Sequence, residues 1–244
     1  MDKRAVALRT LGLLDLTNLN DDCVEYDVIN LCARTVHDGT NVAAVCVWSP
    51  FVAVSRFELG DSGVRVATVA NFPHGSTDIG RAVAETRRSV SDGAHEVDVV
   101  LPYTAWLAGD RETARKLVAA CKAECEPNTH LKVILETGEL KTRENITEAA
   151  RDAIAAGADF IKTSTGKVAV SATLEAAQAM LVVIRETDRT VGFKAAGGIR
   201  TLEDAAAYLQ LADKIMGLDW VSPKTFRFGA SGLLDDLLIY TGGA

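Results

Sequence analysis

Gly157-Ala158-Asp159-Phe160-Ile161-Lys162-Thr163 reads as a helix-to-strand turn running into a short strand with a lysine in its middle. Gly157 relieves the backbone where a helix ends, and the apolar run after it reads as extended. The same unit recurs at Asp92-Gly93-Ala94, ahead of a strand around Glu96. Working outward, eight such runs appear: Leu13–Leu16, Val42–Trp48, Val64–Asn71, Val97–Leu101, Leu131–Glu136, Phe160–Thr163, Val191–Lys194 and Phe226–Gly229. Helical patterns lie between them at 21–38, 77–92, 110–125, 142–156, 173–187, 202–213 and 232–240, with a shorter one at 50–59. Strands alternating with helices call for parallel βαβ units. The polar residues near the strand ends (Asp15, Cys46, Asn71, Asp98, Glu136, Lys162, Lys194, Gly229) recur every 25–38 residues, bracketing the roughly 30 that one such unit needs. No Pro/Ser-rich linker interrupts the series. The expected fold is α/β, a single (β/α)8 TIM barrel occupying 1–244, with a doubly wound open sheet as the alternative.

Composition narrows the function classes. The chain has 244 residues, 48% hydrophobic and 24% charged, which is ordinary globular usage. Its formal charge of −7 argues against general affinity for nucleic acid or an anionic membrane. Trp48, Trp106 and Trp220 are scattered and offer no stacking platform for bases. Apolar runs such as Val42 to Trp48 are far shorter than the ~20 residues that span a bilayer. Arg9 interrupts the apolar start of the chain, and no small-residue cleavage site follows. The cysteines (23, 32, 46, 121 and 125) are odd in number and form no CxxC pair. The histidines (37, 74, 95 and 130) lack a metal-ligand spacing, so no protein-built metal site is expected. These features read as a reduced, cytoplasmic protein. Cys46, on an apolar strand, reads as a small core residue.

In a barrel, chemistry sits at the C-terminal ends of the strands. Strand alternation puts Phe160, Lys162 and Ser164 on one face, and in a barrel wrapped by helices that face points inward. Desolvation lowers the pKa of a buried lysine, and the neutral amine can attack a carbonyl. The plainer alternative is a lysine that snorkels out or pairs with a carboxylate. Lys194, in Val191-Gly192-Phe193-Lys194, stands at the same height one strand on. Two ammoniums on strands ~4.8 Å apart repel, which lowers the pKa of at least one. Asp98 in Glu96-Val97-Asp98-Val99 serves either as an ion-pair partner or as a proton relay through water. Asp15, beside Thr17, and Glu136 occupy similar positions; either orients substrate hydroxyls or holds the lysines. Gly197-Gly198-Ile199-Arg200-Thr201 and Gly229-Ala230-Ser231-Gly232 each open a helix, where free N–H groups bind phosphate. Thr165-Gly166-Lys167 adds a third loop with a positive charge, and is not a Walker loop because Ile161 stands where that motif needs glycine.

From about Leu14 to Leu234 the chain resembles the deoxyribose-phosphate aldolase family. The resemblance rests on ordered segments: LDLT at 14–17, NFPHG at 71–75, EVDVV at 96–100, LKVI and ETGEL within 131–140, GADFIKTSTGKVAV at 157–170, VGFK at 191–194 and RFGAS at 227–231. It implies a class I aldolase on a (β/α)8 barrel that reversibly cleaves 2-deoxy-D-ribose 5-phosphate into acetaldehyde and D-glyceraldehyde 3-phosphate. Lys162 would form the Schiff base, Lys194 would perturb it and share in proton transfer, and Asp98 would be the acid/base acting through water. Thr165, Gly166, Lys167, Gly197, Gly198, Gly229, Ser231 and Gly232 would form the phosphate and hydroxyl rim, to which Asp15, Thr17 and Arg200 are added here. No cofactor or metal is implied, and the partners are small phosphorylated sugars and aldehydes, with homo-oligomerisation left open. Three departures stand out. Ala195 replaces a frequent proline, Gly232 replaces a second serine, and Tyr240 with Thr241-Gly242-Gly243-Ala244 does not match the longer tyrosine-ended tail of some members, so Tyr240 is given no proton-transfer role. Another lysine-based barrel aldolase or a non-catalytic sugar-phosphate sensor are the rival readings.

Overall fold

All eight expected runs become parallel strands. The computed structural model of the protein describes residues 2–37, 39–125 and 127–242. The strands are β1 (Leu14–Asn18), β2 (Ala44–Val47), β3 (Arg65–Ala70), β4 (Glu96–Val100), β5 (His130–Ile134), β6 (Phe160–Lys162), β7 (Gly192–Ala196) and β8 (Phe226–Ala230). Each pairs in parallel with the next, and β8 pairs back onto β1 through Leu14–Phe228, Asp15–Gly229 and Leu16–Ala230. The sheet is therefore closed, and the open-sheet alternative falls.

Closure follows from residue alternation. Outward positions such as Val45 and Val47 on β2, Val97 and Val99 on β4, Leu131 and Val133 on β5, and Phe226 and Phe228 on β8 are buried under helices in one apolar layer. The helices are α1 (Lys3–Leu11), α2 (Glu25–Ala33), α3 (Val52–Leu59), α4 (Ile79–Ser91), α5 (Tyr103–Leu107), α6 (Arg111–Ala123), α7 (Thr137–Leu140), α8 (Arg143–Ala155), α9 (Leu174–Arg185), α10 (Leu202–Met216) and α11 (Leu233–Thr241). Asp78, Asp110, Thr142, Thr173 and Thr201 cap α4, α6, α8, α9 and α10, each side chain accepting from a backbone N–H in the first turn. Each such cap stabilises by roughly 0.5–2 kcal/mol. None of the described helices is long and apolar enough to cross a membrane.

The helix expected over 21–38 is shorter. It stops at Ala33, and Val36–His37 pairs with Thr40–Asn41 as a small antiparallel hairpin, with Gly39 at φ 75° in its turn. Three helices were not anticipated. The first, α1, is capped by Asp2 and buries Ala7 and Leu11. Arg9, which interrupts the apolar pattern in sequence, lies on its polar side and pairs with Asp213 of α10 at 2.6 and 2.7 Å. The others, α5 and α7, are single turns after β4 and β5, too short for periodicity to reveal.

The barrel interior is divided. Small apolar residues (Ala44, Cys46, Ala67, Val69) fill the β2–β3 side, and Trp48 and Phe72, edge to face with each other at 5.5 Å, pack on them. Charged residues fill the β4–β8 side. Phe160 is the large apolar side chain among them, and Gly192 on the next strand makes room for it: a Cβ there would fall 2.2 Å from the Phe160 ring. Gly192→Ala is therefore expected to lower the unfolding free energy by about 1–3 kcal/mol in urea titration; an unchanged midpoint would contradict the inward packing of Phe160.

Candidate active site

Along β3–β8 the inward positions carry charges that meet in a continuous ladder. At the N-terminal end, Arg65 Nε lies 2.6 Å from Glu96. Glu96 also pairs with Lys132 at 2.5 Å and with Arg227 at 2.8 Å. One step up, Lys132 Nζ donates to Asp98 Oδ1 at 2.8 Å, and Arg227 donates to Asp15 Oδ1 at 2.6 Å. The top rung holds the two lysines expected from the sequence. Lys162 Nζ and Lys194 Nζ both donate to Asp98 Oδ2 at 2.8 Å, and Lys194 lies 2.5 Å from Asp15 Oδ2. Register enforces this arrangement, because Lys162 stands opposite Lys194, Lys194 opposite Arg227, and Asp98 opposite Lys132.

Counting the fully buried groups leaves a surplus of positive charge. Asp15, Glu96 and Asp98 face Lys132, Lys162, Lys194 and Arg227, before half-buried Arg65 is added. An unbalanced buried charge is costly, so the surplus favours neutralising one base. Lys132, Lys194 and Arg227 each touch two or more carboxylates, whereas Lys162 touches Asp98 alone. Burial pushes the Lys162 pKa down, with the Lys194 charge adding to the effect against the pull of Asp98. For Lys194 burial acts in the same direction, yet Asp15 and Asp98 outweigh it and hold the pKa above the ordinary lysine value. Against their own burial, the surrounding cations hold Asp15, Glu96 and Asp98 below the usual carboxylate range.

Above the top rung lies a cavity of about 530 Å³ at the C-terminal ends of the strands. Lys162 is the one member of the ladder on its wall. The expected rim residues Thr17, Thr165, Gly166, Lys167, Gly197, Gly198, Arg200, Gly229, Ser231 and Gly232 all line it, joined by Leu19, Asn20, Ala196, Ile199 and Ala230. Gly197 and Gly198 adopt φ 87° and 84° ahead of α10, where Thr201 and Asp204 form the capping box read from the sequence. Gly232 is the N-cap of α11. Gly229 has a packing role besides, since a Cβ there would lie 2.9 Å from Lys194 Cε. Lys167 reaches across to Asp21 at 3.2 Å.

Three expectations need correction or restriction. Asp15 is not on the cavity wall: it is fully buried, with both carboxylate oxygens taken up by Lys194 and Arg227, so it holds lysines and is not part of the substrate rim. Asp98 and Lys194 likewise stand behind Lys162, without exposed surface. Glu136 pairs with no lysine and bonds Thr165 instead. Cys46 is buried, and burial pushes its thiol pKa up, as suits a core residue. Tyr240 packs outside the barrel, its ring 5.0 Å from Lys3 Nζ. Gly243 and Ala244 lie outside the described residues. Among those described, no cluster of three His, Cys, Asp or Glu side chains forms a metal-ligand set.

The sequence model of the DeoC/LacD family aldolases matches residues 10–236, from the end of α1 to α11 and so across the whole barrel. The chain belongs to this aldolase family. It is 53% identical over 242 residues to a deoxyribose-phosphate aldolase from Agrobacterium fabrum, covering 98% of this chain and 93% of that one. A crystal structure from Toxoplasma gondii ME49, provisionally named a deoxyribose-phosphate aldolase, superposes with a TM-score of 0.90 at 26% identity, covering 98% and 95% of the two chains. Another from Coccidioides immitis, provisionally named in the same way, superposes with a TM-score of 0.83 at 29% identity, covering 95% and 85%. The protein is thus an aldolase, a lyase on a (β/α)8 barrel.

Sequence reasoning missed Glu96, Lys132, Arg227 and Arg65 of this aldolase. The signal was present, because the alternation that turns Lys162 inward also turns Lys132, Glu96 and Arg227 inward, with Leu131 and Val133 flanking Lys132, Phe226 and Phe228 flanking Arg227, and Val97 following Glu96. Lys132→Met strips Glu96 and Asp98 of a buried partner and is expected to cost about 3–5 kcal/mol in urea unfolding; a loss under about 1 kcal/mol would mean the ladder does not depend on it. The acid response has a defined sign. Carboxylates whose folded pKa is depressed contribute stability that is present above their unfolded values near pH 4 and is lost as pH falls below that. Unfolding free energy should therefore drop between about pH 5 and pH 3, and more shallowly in Glu96→Gln than in the parent, as followed by denaturant titrations across that range.

Proposed function

We propose that this aldolase reversibly cleaves 2-deoxy-D-ribose 5-phosphate to acetaldehyde and D-glyceraldehyde 3-phosphate through a Schiff base on Lys162. The observation that carries the reading is the selection of Lys162 within the ladder: it touches only one carboxylate, its pKa is lowered, and it alone of the buried bases opens onto the cavity. The deoxyribose-phosphate aldolase relative at 53% identity supports the substrate.

In this mechanism the neutral Lys162 amine attacks the aldehyde carbon of the open-chain sugar, and water leaves to give the iminium. A base takes the proton of the C3 hydroxyl, the C2–C3 bond breaks, and its electron pair flows into the iminium to leave an enamine. Protonation at C2 and hydrolysis then release acetaldehyde and restore the amine. Asp98, whose Oδ2 accepts from both Lys162 and Lys194, and Lys194 itself stand directly behind the reacting amine and handle these protons through water. The glycine turns ahead of α10 and α11, with Thr165, Gly166, Lys167, Arg200 and Ser231, receive the phosphate and hydroxyls. Thr17 orients the substrate near β1. Gly232 offers a backbone N–H where a second serine would offer a hydroxyl. The covalent lysine is itself the electron sink. A reduced, cytoplasmic setting belongs to the same reading and is supported by five free cysteines.

Borohydride reduction with deoxyribose 5-phosphate or acetaldehyde, followed by peptide mass mapping, should place the adduct on Lys162. An adduct on Lys194 or Lys167 would move the nucleophile, and none on folded protein would favour the non-catalytic sensor. Lys162→Arg should keep the fold and lose turnover by several orders of magnitude. Lys194→Leu removes a neighbouring cation and so raises the Lys162 pKa. Because attack needs the neutral amine, the acidic limb of kcat/KM should move to higher pH; an unmoved limb would show that the two lysines are uncoupled.

A further inference from the structure

Glu136 is a buried carboxylate that the mechanism above does not use. It follows β5, is fully buried, and holds a left-handed backbone at φ 58°, ψ 61°, a conformation that costs a non-glycine residue roughly 1–2 kcal/mol. Such strain persists only where the surroundings enforce it. Its carboxylate forms no ion pair among the described residues. It accepts the Thr165 hydroxyl at 2.6 Å and, more loosely, the Thr165 N–H at 3.3 and 3.4 Å. Thr165 Oγ1 in turn accepts the Lys167 N–H at 3.0 Å. The same turn touches this loop a second time. Gly138 lies so close to Val170 that a Cβ would fall 1.9 Å from the Val170 carbonyl oxygen. Backbone bonds from Leu135 N to Lys162 O and from Thr137 N to Thr163 O, each 2.9 Å, complete the seam.

We infer that the turn from Glu136 to Leu140 is a clamp on the loop that follows Lys162, and that Glu136 is a positioning residue for phosphate recognition, acting through Thr165. The loop at 163–172 has no regular structure, so its own backbone bonds cannot fix Thr165, Gly166 and Lys167 at the cavity wall. Glu136 fixes them at one end and Gly138 at the other. The carboxylate accepts both Thr165 donors, the side-chain hydroxyl and the backbone N–H, so it fixes side chain and main chain together. The inference rests on the proposed phosphate-binding role of that loop.

The test separates a positioning role from structural and proton-transfer roles. In the full-length protein, Glu136→Ala is expected to raise KM for deoxyribose 5-phosphate and Ki for inorganic phosphate as competitive inhibitor by about tenfold each, with kcat within about threefold of the parent. Glu136→Gln, whose amide oxygen still accepts from Thr165, should restore both constants to within about threefold. Thr165→Val should weaken phosphate inhibition similarly, and the double variant Glu136→Ala/Thr165→Val should do no worse than the worse single, since the two act in series. Gly138→Ala, which forces Val170 aside, should weaken phosphate inhibition from the other end if Glu136→Ala does not fold. A lower melting temperature with unchanged KM and Ki would leave Glu136 purely structural and overturn the inference. Loss of kcat in Glu136→Gln would overturn it in favour of proton transfer. If the unaltered protein fails to cleave deoxyribose 5-phosphate, the reading of the reaction falls instead, and that failure shows before any variant is made.

Discussion

Asp98 accepts from three buried lysines, Lys132 on Oδ1 and Lys162 and Lys194 on Oδ2. One carboxylate cannot balance three ammoniums, and the arrangement around it settles where the deficit falls. Asp15 and Glu96 compensate the other bases, so the under-compensated position is Lys162, at the top and facing the cavity. The charges below the cavity thus act on Lys162, the proposed nucleophile, from outside the cavity wall. Lys194 is the nearest case: with a pKa raised by two carboxylates it stays an ammonium, and its fixed charge beside Lys162 is what disfavours a second one.

This architecture needs a closed barrel. In an open sheet, bases on β5, β6, β7 and β8 could not all converge on acids carried by β1 and β4, because β1 and β8 would be opposite edges. Closure through the β1–β8 pairing brings Asp15 beside Arg227 and Lys194, while the interior curvature lets Glu96 reach Arg227 across the barrel. Apart from Arg65 at its N-terminal end, the β2–β3 side contributes small apolar side chains, with Trp48 and Phe72 packed against them.

Much of this was legible in the sequence, for physical reasons that differ by feature. The eight strands could be read because outward residues such as Val97, Val99 and Val133 must be apolar under helices, and the spacing of βαβ units is stereochemically constrained. The pair Lys162–Lys194 could be read because two consecutive strands place a charge at equal height. The glycine turns on the cavity wall could be read because Gly197-Gly198 and Gly229-Ala230-Ser231-Gly232 each lead into a helix, although turn chemistry alone would also place glycines there. Asp15 was half-read: alternation turned it inward, but only the β8 partner Arg227 decides between lysine and substrate. Glu96, Lys132 and Arg227 were overlooked although they obey the same alternation, because their partners lie on strands tens of residues away. The clamp at Glu136 was out of reach, since nothing in a single sequence reports a left-handed backbone at a non-glycine residue. The single-turn helices α5 and α7 fall below any periodic signal.

An interior of this kind is a poor way to stabilise a barrel. Well-packed hydrophobic residues of the same volume would hold β4–β8 together at least as well as paired charges, since each buried ion gives up its hydration before its partner repays it. Stability therefore does not explain why the ladder carries more bases than acids. A neutral Lys162 does, because among the fully buried groups releasing its proton would leave Asp15, Glu96 and Asp98 matched to Lys132, Lys194 and Arg227, with the half-buried Arg65 outside that count. The buried surroundings thus push the Lys162 pKa down, in the direction the proposed chemistry needs. The fold and the proposed chemistry then impose one requirement: the position that must give up its charge is the one that opens onto the cavity.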